Sequence, residues 1–372
     1  MVTLLFAAFA LVAFMERASV DLLVDQRDVL TRRLRMEAYS ALEVTIAVLN
    51  VFRETNNGLR SSGEGWSDPL TFAGYTPGEG RVVEVVFEDE SGKISLPHAN
   101  AVILTNLFKN WGLVQAESEA MADALLGWIK RNHVYSSAVQ PNYDSGALPY
   151  LAPGRSLRSY DELAAIEKVR EVLYDVDGRP NDLWRRFADS VSLLDFQRSN
   201  INGAKPDTLA ALGQFDETQR QSLGEYLNGT GSYVSQGPQV FRTPAEAQRI
   251  AGPTGDTGAF VTTISALRVT IIVRDGRTEF KVSAVIAPPS GATTVQTTAT
   301  AARTQTSAAG AQTTAQQQTR PNAGMAAARP GTAQPGPAQN PGNARNLRYP
   351  FTLLEIREND EIPSPPPLSS SG

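Results

Sequence analysis

The sequence predicts an α+β fold: a long N-terminal helix lying on a small antiparallel sheet, with an all-helical domain inserted between the strands. Three observations predict it. No Gly or Pro occurs before Gly58, and apolar residues recur at helical spacing through Leu23, Leu30, Leu34, Ala38, Leu42, Ile46, Leu49 and Phe52. Short β-branched runs flank a mostly helical stretch, at 82–96 and again at 265–287. A low-complexity segment then separates one last strand from the rest.

The helix comes first, over residues 1–55. Val2 to Met15 carries no charge, yet it is shorter than the about 20 residues that span a bilayer. Leu4, Leu5, Phe6, Phe9, Leu11, Val12 and Phe14 give this part its membrane or assembly character. Beyond it the helix turns amphipathic, with Arg27, Asp28, Arg32, Arg33, Arg35, Glu37 and Glu43 on the polar face. Such a pattern fits a membrane anchor running into a stalk. It equally fits a pilin-type helix, whose apolar half sits in lipid and then in a filament core while its amphipathic half packs on a sheet of the same chain.

The sheet is assigned to 56–96 and 258–288. Val82–Phe87 and Lys93–Leu96 read as two strands joined by a turn at Glu90-Ser91-Gly92, and Asp275-Gly276 reads as a hairpin turn between β-branched runs. Residues 97–257 form the inserted helical domain, with loops near 132–156 and 175–181. Residues 289–347 contain no Asp, Glu or Lys and little apolar bulk, a composition that predicts a disordered linker. A final strand is expected at 348–358, with Pro350 at its start, and a disordered tail at 359–372.

The insert holds an internal repeat. At a constant offset of 105, Leu96 matches Ile201, Ala99 matches Ala204, Leu104 matches Leu209 and Leu107 matches Leu212. Each copy starts extended and passes into a helix, so two helical-hairpin units of SAM-like or helix-hairpin-helix-like character are expected. This raises a second function class, a membrane-anchored DNA-binding or uptake protein. The hairpin of the second copy reads Gly213-Gln214-Phe215-Asp216-Glu217, where Phe215 replaces a glycine and two carboxylates follow. Lys205 and Arg220 face Asp207, Asp216, Glu217 and Glu225 in the same stretch. Neither feature welcomes phosphate. A third class, a membrane-tethered stalk, predicts that 82–96 and 265–287 do not share a sheet.

Composition narrows the chemistry. The 372 residues include 39 acidic and 34 basic side chains, a net charge of -5 that does not suit a nucleic-acid coat. The absence of cysteine removes disulfides, zinc–thiolate sites and thiol nucleophiles. His98 and His133 show no acidic partner pattern and read as structural, as do Trp128 and Trp184. Asp175, Asp177 and Asp182 form the one calcium-like grouping, but Trp184 stands where an EF-hand loop needs its glutamate. No enzyme and no cofactor is expected, and calcium is the one metal to consider.

The order of these elements resembles the K-type minor pseudopilin of the type II secretion system, the general secretion pathway protein K family. That family's DE-x-GK-I-N-L run matches Asp89 to Leu96, with Ser95 in place of Asn. Its IN-x-x-x-A…L-x-x-L element matches Asn200-Ile201-Asn202 through Leu212, and its S-x-x-EL step matches Ser159 to Leu163. Coverage runs over about residues 1–290. The chain departs from the pattern in three places. The basic leader is absent, so the natural start is expected upstream of Met1 or the leader trimmed. An acidic calcium-binding stretch is replaced by Gly127-Trp128-Ile129-Lys130-Arg131-Asn132. The 289–347 linker and last strand lie outside the pattern. The resemblance implies a pilin-like subunit of the inner membrane with its globular part in the periplasm. It also implies a place at the tip of the pseudopilus, with the I and J minor pseudopilins and the inner-membrane platform as partners and no nucleic acid.

Overall fold

The computed structural model describes residues 2–137, 141, 143, 150–295 and 350–359, with the side chains of 2–13, 16 and 18–26 outside that description. The side chains of Leu4, Leu5, Phe6, Phe9, Leu11 and Val12 therefore lie outside that description, as do the 296–347 part of the expected linker, positions 348–349 of the expected last strand and the tail from 360 onward. Helix α1 runs Val2–Thr55. Among the described residues no helix is long and apolar enough to cross a membrane.

α1 is amphipathic for a visible reason. Leu34, Ala38, Ala41, Leu42, Thr45, Ile46 and Leu49 recur every three or four residues and are all buried. They face a four-stranded antiparallel sheet of order β1 (Arg81–Asp89), β6 (Leu267–Asp275), β7 (Thr278–Ala287), β8 (Thr352–Glu358). The facing side chains are Val269, Ile271 and Val273 of β6 and Phe280, Val282, Ala284 and Ile286 of β7. Each large aliphatic in this layer contributes about 1.5–3 kcal/mol by leaving water.

Between α1 and β1 the chain makes a short helix α2, Pro69–Phe72, started by Asp68 capping Thr71. Trp66 fills the corner, edge-on to Phe87 at 4.9 Å. Glu37 of α1 then fixes where β1 begins. It accepts from Tyr75 Oη at 2.5 Å, Gly78 N at 3.3 Å and Arg81 at 2.7 Å. Burial opposes its charge, but those donors hold its carboxyl below the usual range.

β1 pairs with β6 from Arg81↔Asp275 to Asp89↔Leu267. The stalk class, which required these two stretches to lie apart, does not fit this pairing. β6 and β7 form the expected hairpin, with Asp275 opposite Thr278 and Gly276 in the left-handed region. The turn residues are thus Gly276 and Arg277, one position later than the sequence reading. Thr352–Glu358 closes the sheet against β7.

The helical insert joins β1 to its neighbour β6, so it interrupts a simple strand connection. It leaves the sheet at the end nearest the C-terminus of α1: Arg53 stacks over Phe351 there, while Arg35 and Tyr39 bind Glu358 at the opposite end. The insert holds two units. The first runs from β2 (Ile94–Ser95) through α3 (Ala101–Asn110), α4 (Gln115–Ile129), α5 (Glu167–Leu173) and α6 (Asp182–Ser190) to β3 (Val191–Ser192). The second runs from β4 (Ser199–Asn200) through α7 (Pro206–Gly213), α8 (Glu217–Asn228) and α9 (Pro244–Ala251) to β5 (Phe260–Val261). β2 pairs parallel with β3, and β4 pairs parallel with β5. The offset of 105 thus relates Ile94 to Ser199 and the capping positions Asn100 and Lys205.

These pairings correct two expectations. Lys93–Leu96 does not fold back on β1 as a hairpin; Ile94-Ser95 pairs with Val191-Ser192 instead. Residues 260–261 belong to the second insert unit, not to the main sheet. The reason is shared: a strand of two residues has no room for alternation, so its partner is chosen by tertiary packing. The stretch expected to begin the linker is also partly built in, because Thr293 and Asp195 exchange backbone hydrogen bonds of 2.9 and 3.0 Å.

Glycines at the joint provide a test. A Cβ on Gly92 would strike the carbonyl of Gly203, and one on Gly203 would strike the Asp89 carboxylate, whereas one on Gly224 inside α8 meets nothing. Urea unfolding is expected to show Gly92→Ala and Gly203→Ala each losing about 1–3 kcal/mol. Gly224→Ala should gain about 0.5–1 kcal/mol from helix propensity.

Candidate functional site: a buried charged joint and an outer helix stripe

The turn after β1 carries more charge than its burial would normally allow. Glu90, Ser91 and Lys93 are at most 5% exposed. Glu90 is 2.7 Å from Arg268 and 3.2 Å from Lys93, and Lys93 also reaches Glu88 at 2.8 Å. Burial opposes the charge of Glu90, but Lys93 and Arg268 outweigh it and hold its carboxyl below the usual range. Burial likewise works against Lys93, and Glu90 with Glu88 pushes its ammonium well above the usual range. Tyr160 completes the wall, donating to the Val191 carbonyl at 2.7 Å.

Asp89 sits beside this group with a different set of partners. Its carboxylate accepts from Ser91 N at 2.9 Å, Ser91 Oγ at 2.6 Å and Asn200 Nδ2 at 2.7 Å. Burial prevails over these bonds and pushes the carboxyl up to about 6. Asn200 also donates to the Arg60 carbonyl at 2.9 Å, and Ser199 Oγ donates to the Lys93 carbonyl at 2.6 Å. Ser91 Oγ accepts from Ser265 N at 2.9 Å. A single polar cluster therefore ties together the sheet, both insert units and the loop after α1. The run Ser91-Gly92-Lys93 is a tight buried turn at the hub, and the chain beyond it leaves the main sheet rather than closing a hairpin on β1.

The calcium grouping separates into local turns. Asp175 accepts from Asp177 N at 3.0 Å and Arg179 N at 2.8 Å, while Asp182 pairs with Arg185 at 2.5 Å. Among the described residues no group of three or more Asp, Glu or His is placed to hold a metal ion. In the 127–132 stretch Lys130 donates to the Ala99 carbonyl at 2.9 Å, and the stretch holds no carboxylate. The residues present do not fit calcium there.

The histidines have partners that sequence spacing did not show. His98 is 2.7 Å from Asp195, and His133 is 2.8 Å from Asp123, whose other oxygen accepts from Ser136 N and Ser137 N. Trp128 and Trp184 are buried in the first insert unit as expected. A cavity of about 550 Å³ opens beside α4 between Gly127, Arg131, Tyr135, Tyr143 and Leu151, with no acid or histidine among its described lining. The hairpin between α7 and α8 turns inward. Gln214 takes the left-handed conformation and Phe215 is buried near Phe260. Lys205 is paired with Asp189, and Arg220 with Glu217 and Asn110. Both cations of this hairpin are thus already paired with carboxylates.

The open surface lies on the other side of α1. Val29, Met36 and Val51 are 47%, 72% and 52% exposed, and Phe72 of α2 is 58% exposed beside Phe52. Ala47 lies on the same exposed side of the helix, which also carries Arg33, Ser40 and Glu43. Phe14, the one residue of the expected apolar group with a described side chain, is also exposed.

Together these features define a mixed helix-and-sheet protein with one antiparallel sheet, a helical insert and an apolar helix face left open. Residues 87–176 match the family described as type II secretion system, protein K. The matched region begins two residues before the charged joint and spans the first insert unit to the Asp175 turn. Among solved structures, the GspK–GspI–GspJ complex from the type 2 secretion system of enterotoxigenic Escherichia coli aligns at 12% identity. Its TM-score is 0.49, over 72% of this chain and 94% of that one. A comparison with curated proteins finds no match.

The raised carboxyl of Asp89 gives a pH test. Because the folded value of about 6 lies above the ordinary 3.8, its contribution to stability is full below about pH 4 and is lost as pH rises through 6. The carboxyls of Glu37, Glu90 and Asp123 act with the opposite sign, losing stability as pH falls. The Asp89 contribution is therefore read as a difference. Between pH 4 and pH 7, the native chain should lose about 2–3 kcal/mol relative to Asp89→Asn in urea unfolding. Parallel pH profiles for the two proteins would remove this account of the joint.

Proposed function

We propose that the chain is a minor pseudopilin that caps the tip of a type II secretion pseudopilus. The observation that carries this reading is the protein K match over residues 87–176. In this reading α1 on its sheet is the pilin-like part, and the two insert units are the SAM-like head. The N-terminal part of α1 anchors the subunit in the inner membrane and later joins the filament core, with the globular part in the periplasm. The subunit works by shape and contact, with no catalytic step and no cofactor.

Two features support the cap. The insert departs from the sheet at the end nearest the C-terminus of α1, away from the apolar N-terminal residues. A bulky head in that position leaves no place for a further subunit above it. Meanwhile the Val29–Met36–Val51 stripe leaves one face of α1 free for neighbouring helices, spaced as helix–helix packing requires. The I and J minor pseudopilins are the proposed occupants of that face, since protein K shares a complex with both in the structure compared above.

Mixing the full chain in detergent with purified I- and J-type pseudopilins is expected to give a stoichiometric ternary complex on size exclusion. Met36→Glu should weaken it by about tenfold or more without lowering the unfolding midpoint, because Met36 is on the open face. Absence of a complex at roughly 50 µM, with all three proteins folded, would refute the reading.

A further inference from the structure

β8 is attached to the sheet in an unusual way. Thr352 lies directly opposite Ala287, so a turn of a few residues could join β7 to β8. The chain instead inserts residues 288–351 between them. The β6–β7 hairpin closes with two residues. β8 is thus tied to β7 through 64 residues, where β6 and β7 are tied through two.

Its own contacts compensate, and they form a pattern. At its start Phe351 is 2% exposed within the α1–sheet core, with the Arg53 guanidinium 5.5 Å over its ring. In its middle Glu355 lies 3.8 Å from Arg268 of the charged joint. At its end Glu358 takes bonds from Arg35 at 2.7 Å and Tyr39 at 2.7 Å. Asn359 then clamps β7, donating to the Lys281 carbonyl at 2.8 Å while its side chain accepts from Lys281 N at 2.9 Å. The rest of the strand is mostly exposed. An aromatic socket and an acid clamp thus stand about 23 Å apart along one edge, at 3.3 Å per residue.

From this arrangement we infer that the β7 edge with α1 is a binding site for an extended peptide, and that residues 351–359 are its tethered ligand. The fitting partner adds a strand by backbone pairing. It carries an aromatic side chain at its start, an acid near its middle, and an acid followed by an amide at its end. Backbone pairing supplies affinity and the two end sockets supply register, as in other strand-addition sites. The inference does not depend on the secretion reading.

The test uses the full chain with a specific protease site placed between 296 and 349, cut after folding. The C-terminal piece is expected to co-elute with the body after cutting. A fluorescent peptide of residues 349–360 should then displace it from the cut chain and bind the uncut chain at least about tenfold more weakly. Peptides carrying Phe351→Ala or Glu358→Ala should lose about tenfold or more in affinity. Hydrogen exchange at 281–286 should rise when the piece leaves and fall when the peptide binds. Three results would each overturn the inference: no peptide binding to a cut chain whose remaining sheet stays folded, equal binding to cut and uncut chains, or equal binding of the two substituted peptides.

Discussion

The rest of the molecule depends on the ion cluster under the turn at Glu90. Three acids and two cations meet there: Glu88, Glu90, Glu355, Lys93 and Arg268. Removing Glu90 and Lys93 from water costs several kcal/mol per ion, and only close pairing offsets that cost. The geometry meets the condition because three separate parts of the chain converge. The turn brings Glu90 and Lys93, β6 brings Arg268, and β8 brings Glu355. Any change in the path of the turn after β1 would part Arg268 from Glu90 and leave buried charge behind. A hydrophobic joint would hold as firmly but would tolerate sliding. This one fixes a direction, which a head mounted on a helix-and-sheet stem requires.

The repeat explains how one turn can serve two units. Ser95 and Asn200 occupy the same position in the two copies, offset by 105. Ser95 Oγ binds the chain that leaves its own unit, donating to the Leu194 carbonyl at 2.8 Å. Asn200 reaches out of its unit to Asp89 and to the Arg60 carbonyl. The first copy is joined to β1 by the chain itself, so its residue can stay local. The second copy has no such covalent link at its start, and Asn200 provides the bond. Gly92 and Gly203 make the approach possible, since either side chain would separate the two backbones.

What could be read from the sequence follows how local the determining physics is. The α1 periodicity and, to within one residue, the β6–β7 turn each lie within one stretch of chain, and the repeat needs only two stretches set side by side, so pattern alone reveals them. The partners of Ile94-Ser95 and Phe260-Val261 do not, because two-residue strands carry no alternation. The pairs His98–Asp195 and His133–Asp123 were also hidden, the first because its members are far apart in sequence and the second because helix-to-loop spacing has no fixed period. The run Ser91-Gly92-Lys93 is visible in the sequence as a turn, but its burial is not. Its flanking charges are the usual sign of exposure, and only Arg268, distant in the chain, makes their burial tolerable.

The two ends of the molecule then divide the work through one helix. Near its middle α1 uses Arg35, Glu37 and Tyr39 to hold the sheet's far end, binding Arg81 of β1 and Glu358 of β8 at opposite edges. Near its C-terminus it uses Arg53 and the loop at Arg60 to hold the end that bears the insert. Both sets of contacts lie on the face of α1 turned toward the sheet, so the apolar stripe opposite them is left clear. A helix committed on one face at both ends cannot roll. The open stripe therefore keeps a fixed angle to the head, and a neighbour that docks on the stripe is placed relative to the head without touching it.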